Sequence, residues 1–217
     1  MKPCAIDEIE TIVRGHAPAP VGDYRYYAVL LPLVEKEGEL FVLYEVRADD
    51  LAVQPGEISF PGGAVEAGET PEAAAVRETC EELCVPDSAV RVLHELNYLI
   101  TYSGFTLYSF LGVLDADALS AARPSAAEVK ETFLVPLAWL LEHEPDVYEN
   151  RVVPEPTPDL PVEKLFPGGV YKWRTGRSTV MVYTWPDAEA GTERVIWGMT
   201  AALTRDFITL LKTEKRP

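Results

Sequence analysis

Apolar residues return along this chain with two periods, one near 3.6 residues and one of 2, and the two alternate. Ile6, Ile9, Ile12 and Val13 fall on one face at helical spacing, which predicts a short amphipathic helix at the start. A Pro- and Gly-rich linker at 15–22 follows. Strand-like runs stand at 24–34 and 40–47, split by the acidic turn 35–39, and their lengths predict a hairpin. Residues 54–63 form a loop or short strand, broken by Pro55, Gly56 and Pro61-Gly62-Gly63. Thr70 is a good N-cap and Pro71 suits the first helical position. Pro86 ends whatever follows, so a helix is expected over about 71–83.

Further strands are expected at 90–100 and 105–114, turning at Ser103-Gly104. Residues 115–131 read as a polar loop or loose helix, 137–143 as a short helix, and 145–169 as a Pro-rich irregular surface excursion. Strands at 179–185 and 194–197 precede a last helix at 199–212, whose apolar side carries Leu203, Phe207, Leu210 and Leu211. Strand pairs interleaved with helices predict an α/β fold, a mixed β-sheet covered on both faces.

Length and composition suit one domain over 1–217, since 47% of the residues are hydrophobic. Charge narrows the partners. Lys plus Arg number 19 against 35 Asp plus Glu, a formal charge of −16. Nucleic acid is not expected, because phosphate backbones are bound by clustered positive charge. A small anionic substrate is compatible, with metal ions mediating the contact. Cys4, Cys80 and Cys84 have no framework spacing and read as reduced thiols. The polar start, the absence of a trusted targeting tripeptide at 213–217 and a longest apolar run of only 26–34 make the cytoplasm the expected location, with no membrane partner.

The chemistry sits on the predicted helix 71–83. Glu78 lies three and four residues before Glu81 and Glu82, so the three carboxylates share one face. Like charges at that spacing repel by roughly 0.2–0.5 kcal/mol per pair on an isolated helix. Hard divalent ions prefer carboxylate oxygens, and Mg²⁺ binds through a few carboxylates plus substrate phosphate. Arg77 can orient one of the acids. Taken alone, a solvated acidic face is the simpler reading in a chain this acidic.

The wider spacing reverses that preference. Gly63, five residues, Glu69, seven residues, Arg77-Glu78, two residues and Glu81-Glu82 resemble the Nudix box, with six of its seven fixed letters present and Val85 in its last apolar slot. Thr79 replaces an apolar residue and Cys84 replaces the final Gly. A Cys in a left-handed turn costs on the order of 1 kcal/mol or more, unless the turn has another shape.

The resemblance to Nudix hydrolases implies an α/β/α sandwich whose loop-helix-loop binds Mg²⁺ or Mn²⁺. Glu78, Glu81 and Glu82 are then metal ligands, Glu69 and Arg77 shape the site, and Gly62 and Gly63 let the loop approach closely. Arg47, Leu51, Gly56 and Phe60-Pro61-Gly62-Gly63 look like the extra motif of coenzyme A pyrophosphatases, except that Ala52 and Gln54 stand where that motif has Arg and His. Glu128-Val129, Phe133, Val135-Pro136-Leu137 and Ile196-Trp197-Gly198-Met199-Thr200-Ala201 are similar to the same subfamily. Arg47 suits a phosphate grip or a salt bridge capping a strand. Glu128 suits a further metal ligand, a general base or a plain surface acid.

The expected reaction is metal-dependent hydrolysis of the diphosphate of coenzyme A or an acyl-CoA, giving 3′-phospho-AMP and phosphopantetheine. The rivals are the same chemistry on ADP-ribose, a dinucleotide or a nucleotide sugar, and a non-catalytic ligand sensor that keeps the fold. The expected partners are a small nucleotide and, at most, a second copy of the chain.

Overall fold

The computed structural model describes residues 5–17, 20–166, 168–169 and 171–214. Cys4 and the residues at 215–217 lie outside them. The elements run α1 (Ile6–Arg14), β1 (Arg25–Lys36), β2 (Glu39–Arg47), β3 (Ile58–Ser59), β4 (Gly62–Ala64), α2 (Pro71–Leu83), β5 (Val90–Glu95), β6 (Leu99–Ile100), β7 (Phe105–Leu114), α3 (Ala116–Ala121), β8 (Val129–Pro136), α4 (Leu137–Glu142), β9 (Asp146–Val152), α5 (Val162–Leu165), β10 (Gly176–Asp187), β11 (Thr192–Trp197) and α6 (Gly198–Glu214).

β1 and β2 form the expected hairpin, paired from Leu33 with Val42 to Lys36 with Glu39. The two-residue turn between them, Glu37-Gly38, has positive φ at both positions. That turn twists with the strands, and Gly38 takes it without strain. β7 runs parallel to β1, from Arg25 beside Phe105 to Leu33 beside Val113. β8 lies antiparallel on β2. The resulting mixed sheet has the path β3-β2-β1-β7-β5, with β4 on β1, β6 on β7 and β8 on β2.

Alternation along the strands divides the core into two faces. Ala28, Leu30, Val34 and Leu43 meet Ala74, Ala75 and Leu83 of α2. Leu31, Leu33, Val42, Tyr44 and Val46 meet Tyr183, Ile196, Leu203, Phe207 and Ile208 on the other side. The fold is thus an α/β sandwich with helices on both faces of a mixed sheet. A second, three-stranded antiparallel sheet, β11-β10-β9, joins α6 on the far face. A row of rings ties the sheets together: Phe60 stacks on Tyr44 at 5.0 Å, Tyr44 on Phe133 at 5.6 Å, and Phe133 on Trp185 at 5.9 Å. Tyr44 Oη, fully buried, shares a 2.9 Å hydrogen bond with Thr204 of α6.

Three expectations change, and the helix expected at the start forms with its apolar face exposed. The stretch 145–169 is not wholly irregular: Asp146–Val152 is a strand paired to β10, and Val162–Leu165 a short helix. Its side chains are mostly exposed, so hydrophobic alternation gives little sign of the strand. The run 90–100 divides into β5 and β6, with a register shift between Val92 and His94. The end of 115–131 already belongs to β8, which sequence patterning missed. The apolar face of α1 is exposed at Ile6, Ile9, Ile12 and Val13, and none of its residues is buried.

Candidate active site

α2 forms where the sequence predicts. Thr70 Oγ1 accepts the Ala73 N–H at 3.2 Å, and Ala74 and Ala75, fully buried, let the helix lie close on β1. Thr79, in the slot where the box has an apolar residue, is fully buried and donates its hydroxyl to the Ala75 carbonyl at 2.6 Å. The hydroxyl is satisfied within the helix, so the departure leaves no unpaired buried group. Cys84 does take the left-handed conformation, φ 53° and ψ 44°, and its backbone N–H reaches the Cys80 carbonyl. The turn keeps its shape, and the Cys carries the strain.

Two glycines bring the preceding loop against this helix. β4 pairs antiparallel with β1, Gly62 opposite Val29 and Gly63 opposite Ala28. A Cβ on Gly62 would stand 2.3 Å from the Ala28 carbonyl oxygen, and one on Gly63 2.3 Å from Glu78 Cδ. The backbone of β1 closes the first position to a side chain, and a side chain at the second would displace the Glu78 carboxylate. The close approach also lets the Gly62 N–H donate to Glu82 Oε2 at 2.8 Å.

Arg77 gathers the other acids. Its Nε donates to Glu69 at 3.0 Å, its Nη1 to Glu78 at 2.8 Å and to Glu81 at 3.1 Å, and its Nη2 to the Ala64 carbonyl at 3.1 Å. Arg77 holds the Glu69 carboxyl below the usual carboxylate range. Glu82 turns inward instead. Burial first, and then the negative charge of Glu45, push its carboxyl well above that range, while the Gly62 N–H opposes the shift. Among the described residues no group of three or more His, Cys, Asp or Glu side chains is arranged around one point to hold a metal ion, and Arg77 is ion-paired with Glu69, Glu78 and Glu81.

Glu128 and Arg47 join from the far side. The Ser125 N–H donates to the Glu82 carbonyl at 2.8 Å, the Glu128 N–H to the Ser125 carbonyl at 2.9 Å, and the Ala48 N–H to the Glu128 carbonyl at 2.8 Å. The loop before β8 is thus strung between the end of α2 and the end of β2. Arg47 follows Glu45 at the strand period, so both point to the α2 side. Its Nε is buried without a hydrogen-bond partner, and its charge stabilises the ionised forms of Glu45 and Glu82. The structure therefore gathers Arg47, Gly62, Gly63, Glu69, Arg77, Glu78, Glu81, Glu82 and Glu128 about one helix. Sequence reading missed Glu45, although a lone acid inside the apolar run of β2 was the signal.

On the β11 side of the sheet, Val46, Pro55, Gly56, Glu57 and Ile58 face Glu193, Arg194, Val195 and Trp197 across a groove of about 320 Å³. Cys80 and Cys84 are free thiols; burial pushes Cys80 up to about 11, and Cys84 is exposed.

The model of the NUDIX domain family matches residues 24–155. The chain is 31% identical over 193 residues to the peroxisomal coenzyme A diphosphatase NUDT7 of Mus musculus, covering 88% of this chain and 72% of that protein. It is 29% identical over 186 residues to the uncharacterized Nudix hydrolase NudL of Escherichia coli (strain K12), covering 85% and 82%. Among solved structures, the C. elegans Ap4A hydrolase binary complex is 20% identical with a TM-score of 0.45, over 54% of this chain and 83% of that one. No helix among the described residues is long and apolar enough to cross a membrane. With its box built on Gly63, Glu69, Arg77, Glu78, Glu81 and Glu82, and a family match over more than half its length, this chain belongs to the NUDIX domain family and is a Nudix pyrophosphohydrolase.

Proposed function

We propose that the chain hydrolyses the phosphoanhydride bond of coenzyme A or an acyl-CoA, giving 3′-phospho-AMP and phosphopantetheine, with Mg²⁺ or Mn²⁺ as cofactor. The observation that carries the site is Gly63. Its missing Cβ makes room for the Glu78 carboxylate, which leaves acids of α2 packed against a loop with only one arginine among them. Hard carboxylate donors of this kind fit a divalent cation. Glu78, Glu81 and Glu82 would hold it; bound there, it would neutralise the diphosphate and activate a water for attack. Arg77 orients Glu78 and Glu81, and Glu69 anchors Arg77 from behind. Glu128, exposed on its loop beside Glu45, would take the proton of the attacking water. The Gly62 and Gly63 backbone and the Arg47 guanidinium would contact the substrate phosphates.

The substrate class is supported by the groove. Gly56 and Trp197 belong to two separate stretches similar to coenzyme A pyrophosphatases, and they line the same depression. Similarity to a coenzyme A diphosphatase over 88% of this chain supports the same choice. The free thiols suit a reducing compartment, and we assign the chain to the cytoplasm. The test is turnover of CoA, dephospho-CoA, ADP-ribose, NADH and diadenosine polyphosphates with Mg²⁺ or Mn²⁺. CoA or an acyl-CoA should have the highest kcat/KM. Hydrolysis of ADP-ribose without turnover of CoA would overturn the substrate assignment.

A further inference from the structure

One more carboxylate reaches the site, from the sheet. In β2, side chains alternate between the two faces, so Leu43, Glu45 and Arg47 point to the side covered by α2. Glu45 is completely buried. Its Oε1 accepts the Ser59 hydroxyl at 2.9 Å, across the β2–β3 pairing of the same two residues. Its Oε2 is buried with no hydrogen-bond partner. The charges around it are Arg47, Glu128 and Glu82. Three acids face one base, and no ion pair joins Glu45 to Arg47 among the described residues.

A buried carboxylate beside another of the same sign is costly without a counter-charge or a shared proton. Here the helix contributes Glu82 from one side and the sheet contributes Glu45 from the other. The unpartnered Oε2 is a hard donor on the sheet side that α2 covers. We propose that Glu45 is an additional ligand of the divalent cation, closing on it from β2 opposite Glu82. This rests on the metal-dependent reading above. Glu45 would join the acids of α2 in a shell of carboxylate oxygens that waters and substrate phosphate complete. It also accounts for an acid in the middle of a central strand, where packing alone favours an apolar side chain.

The test is Mn²⁺ binding in the absence of substrate, by calorimetry and by the electron paramagnetic resonance of free Mn²⁺. Glu45→Gln keeps the shape and an acceptor for Ser59 but removes the anionic donor. It should weaken Mn²⁺ binding tenfold or more and shrink the rise in Tm that Mn²⁺ produces. Glu45→Asp keeps the charge but shortens the reach, and it should weaken binding as well. Exposed Glu8→Gln should bind as the parent does. If Glu45→Gln binds as tightly as the parent, Glu45 is a buried acid held by a proton and the proposal is wrong. It is equally wrong if Glu45→Asp alone retains full affinity, since the residue then acts only through its field. Should the Gln variant fail to fold, the Asp variant decides. A parent that binds no Mn²⁺ overturns the metal-dependent reading itself, whereas loss in Glu82→Gln alone overturns only the role of Glu45.

Discussion

The carboxylate of Glu78 stands where a side chain of Gly63 would be, 2.3 Å from the position of an ideal Cβ. A methyl group there must displace either the acid or the β4 loop, which is paired to β1 and cannot retreat freely. Gly63→Ala should therefore destabilise the protein by about 1–3 kcal/mol through overpacking, a fall in Tm of roughly 2–4 °C per kcal/mol for a chain of this size. In a Glu78→Ala background the same change should be nearly neutral, because the clashing group is gone. Thermal melts of the four proteins in this cycle measure the coupling directly. Additive effects would show that Gly63 is not fitted to Glu78.

Glu82 is buried, and burial and the charge of Glu45 both oppose its ionisation. Glu82→Gln keeps an oxygen for the Gly62 N–H and removes the charge. Turnover should fall a hundredfold or more, on the order of 3 kcal/mol in the barrier, while the metal-free Tm rises at alkaline pH, where Glu82 ionises. Glu81→Gln, at an exposed carboxylate, should lose turnover to a similar degree without that gain in Tm. Steady-state kinetics paired with melts separates the two roles. Unchanged turnover in both variants would remove the metal-site assignment.

The same pair sets a pH dependence. Burial pushes both Glu45 and Glu82 above the ordinary carboxylate value, so between that value and their raised ones the folded protein binds more protons than the unfolded chain. Stability then falls as pH rises. The contribution is complete below the ordinary value and is lost as pH climbs through the raised ones. Glu69 and Glu131, held low by Arg77 and Arg194, act in the opposite direction, but only at acidic pH. Metal-free melts should give a lower Tm at roughly pH 8.5 than at roughly pH 5.5, spanning the range above ordinary carboxylates. Glu45→Gln should flatten that slope, and saturating Mn²⁺ should reduce it by favouring the ionised acids. A flat profile in the parent would show that the two acids are not coupled in the folded state.

Much of this site could be read from the sequence because it lies on a single helix. The i, i+3 and i+4 spacing puts Glu78, Glu81 and Glu82 together whatever the rest of the chain does, and Thr70, Pro71 and Pro86 bound that helix locally. Glu45 could not be assigned that way. Its partners come from α2, β3 and the loop before β8, and only the pairing of β2 with its neighbours brings them near. The strand β9 escaped notice for a related reason: with both faces exposed, it lacks the alternation that marks a half-buried strand. The departures at Thr79 and Cys84 also needed the structure, since one is resolved by a hydrogen bond within the helix and the other by backbone strain.

Cys84 gives a direct measure of that strain. A left-handed conformation costs an L-residue roughly 1–2 kcal/mol, and Gly takes it freely at some cost in chain entropy. Its thiol contact, to the Glu81 carbonyl at 3.5 Å, is exposed and weak. Cys84→Gly should thus stabilise the protein by about 0.5–1 kcal/mol, raising Tm by a few degrees, with turnover unchanged. A fall in Tm would mean that the Cys side chain contributes more to the helix end than its contacts indicate.

Substrate choice should turn on Ala52, which stands where the coenzyme A pyrophosphatase motif has an Arg. Ala52 is exposed, in the loop that leads into Pro55 and Gly56 at the edge of the groove. If a base at this position meets the 3′-phosphate of coenzyme A, its absence should weaken the preference for CoA over dephospho-CoA. Arg47 is poorly placed to substitute, because its Nε is buried and its charge faces Glu45 and Glu82. A charge-assisted contact to phosphate contributes roughly 1.5–3 kcal/mol, so the ratio of the two kcat/KM values should be compressed by about tenfold or more. The parent should discriminate weakly, and Ala52→Arg should shift the ratio towards CoA, mainly through KM. Salt should erode the gain, since an exposed ion pair is screened. A parent that already prefers CoA by a hundredfold would show that the 3′-phosphate is recognised elsewhere, and the free side of the groove, near Trp197, would be the next place to substitute.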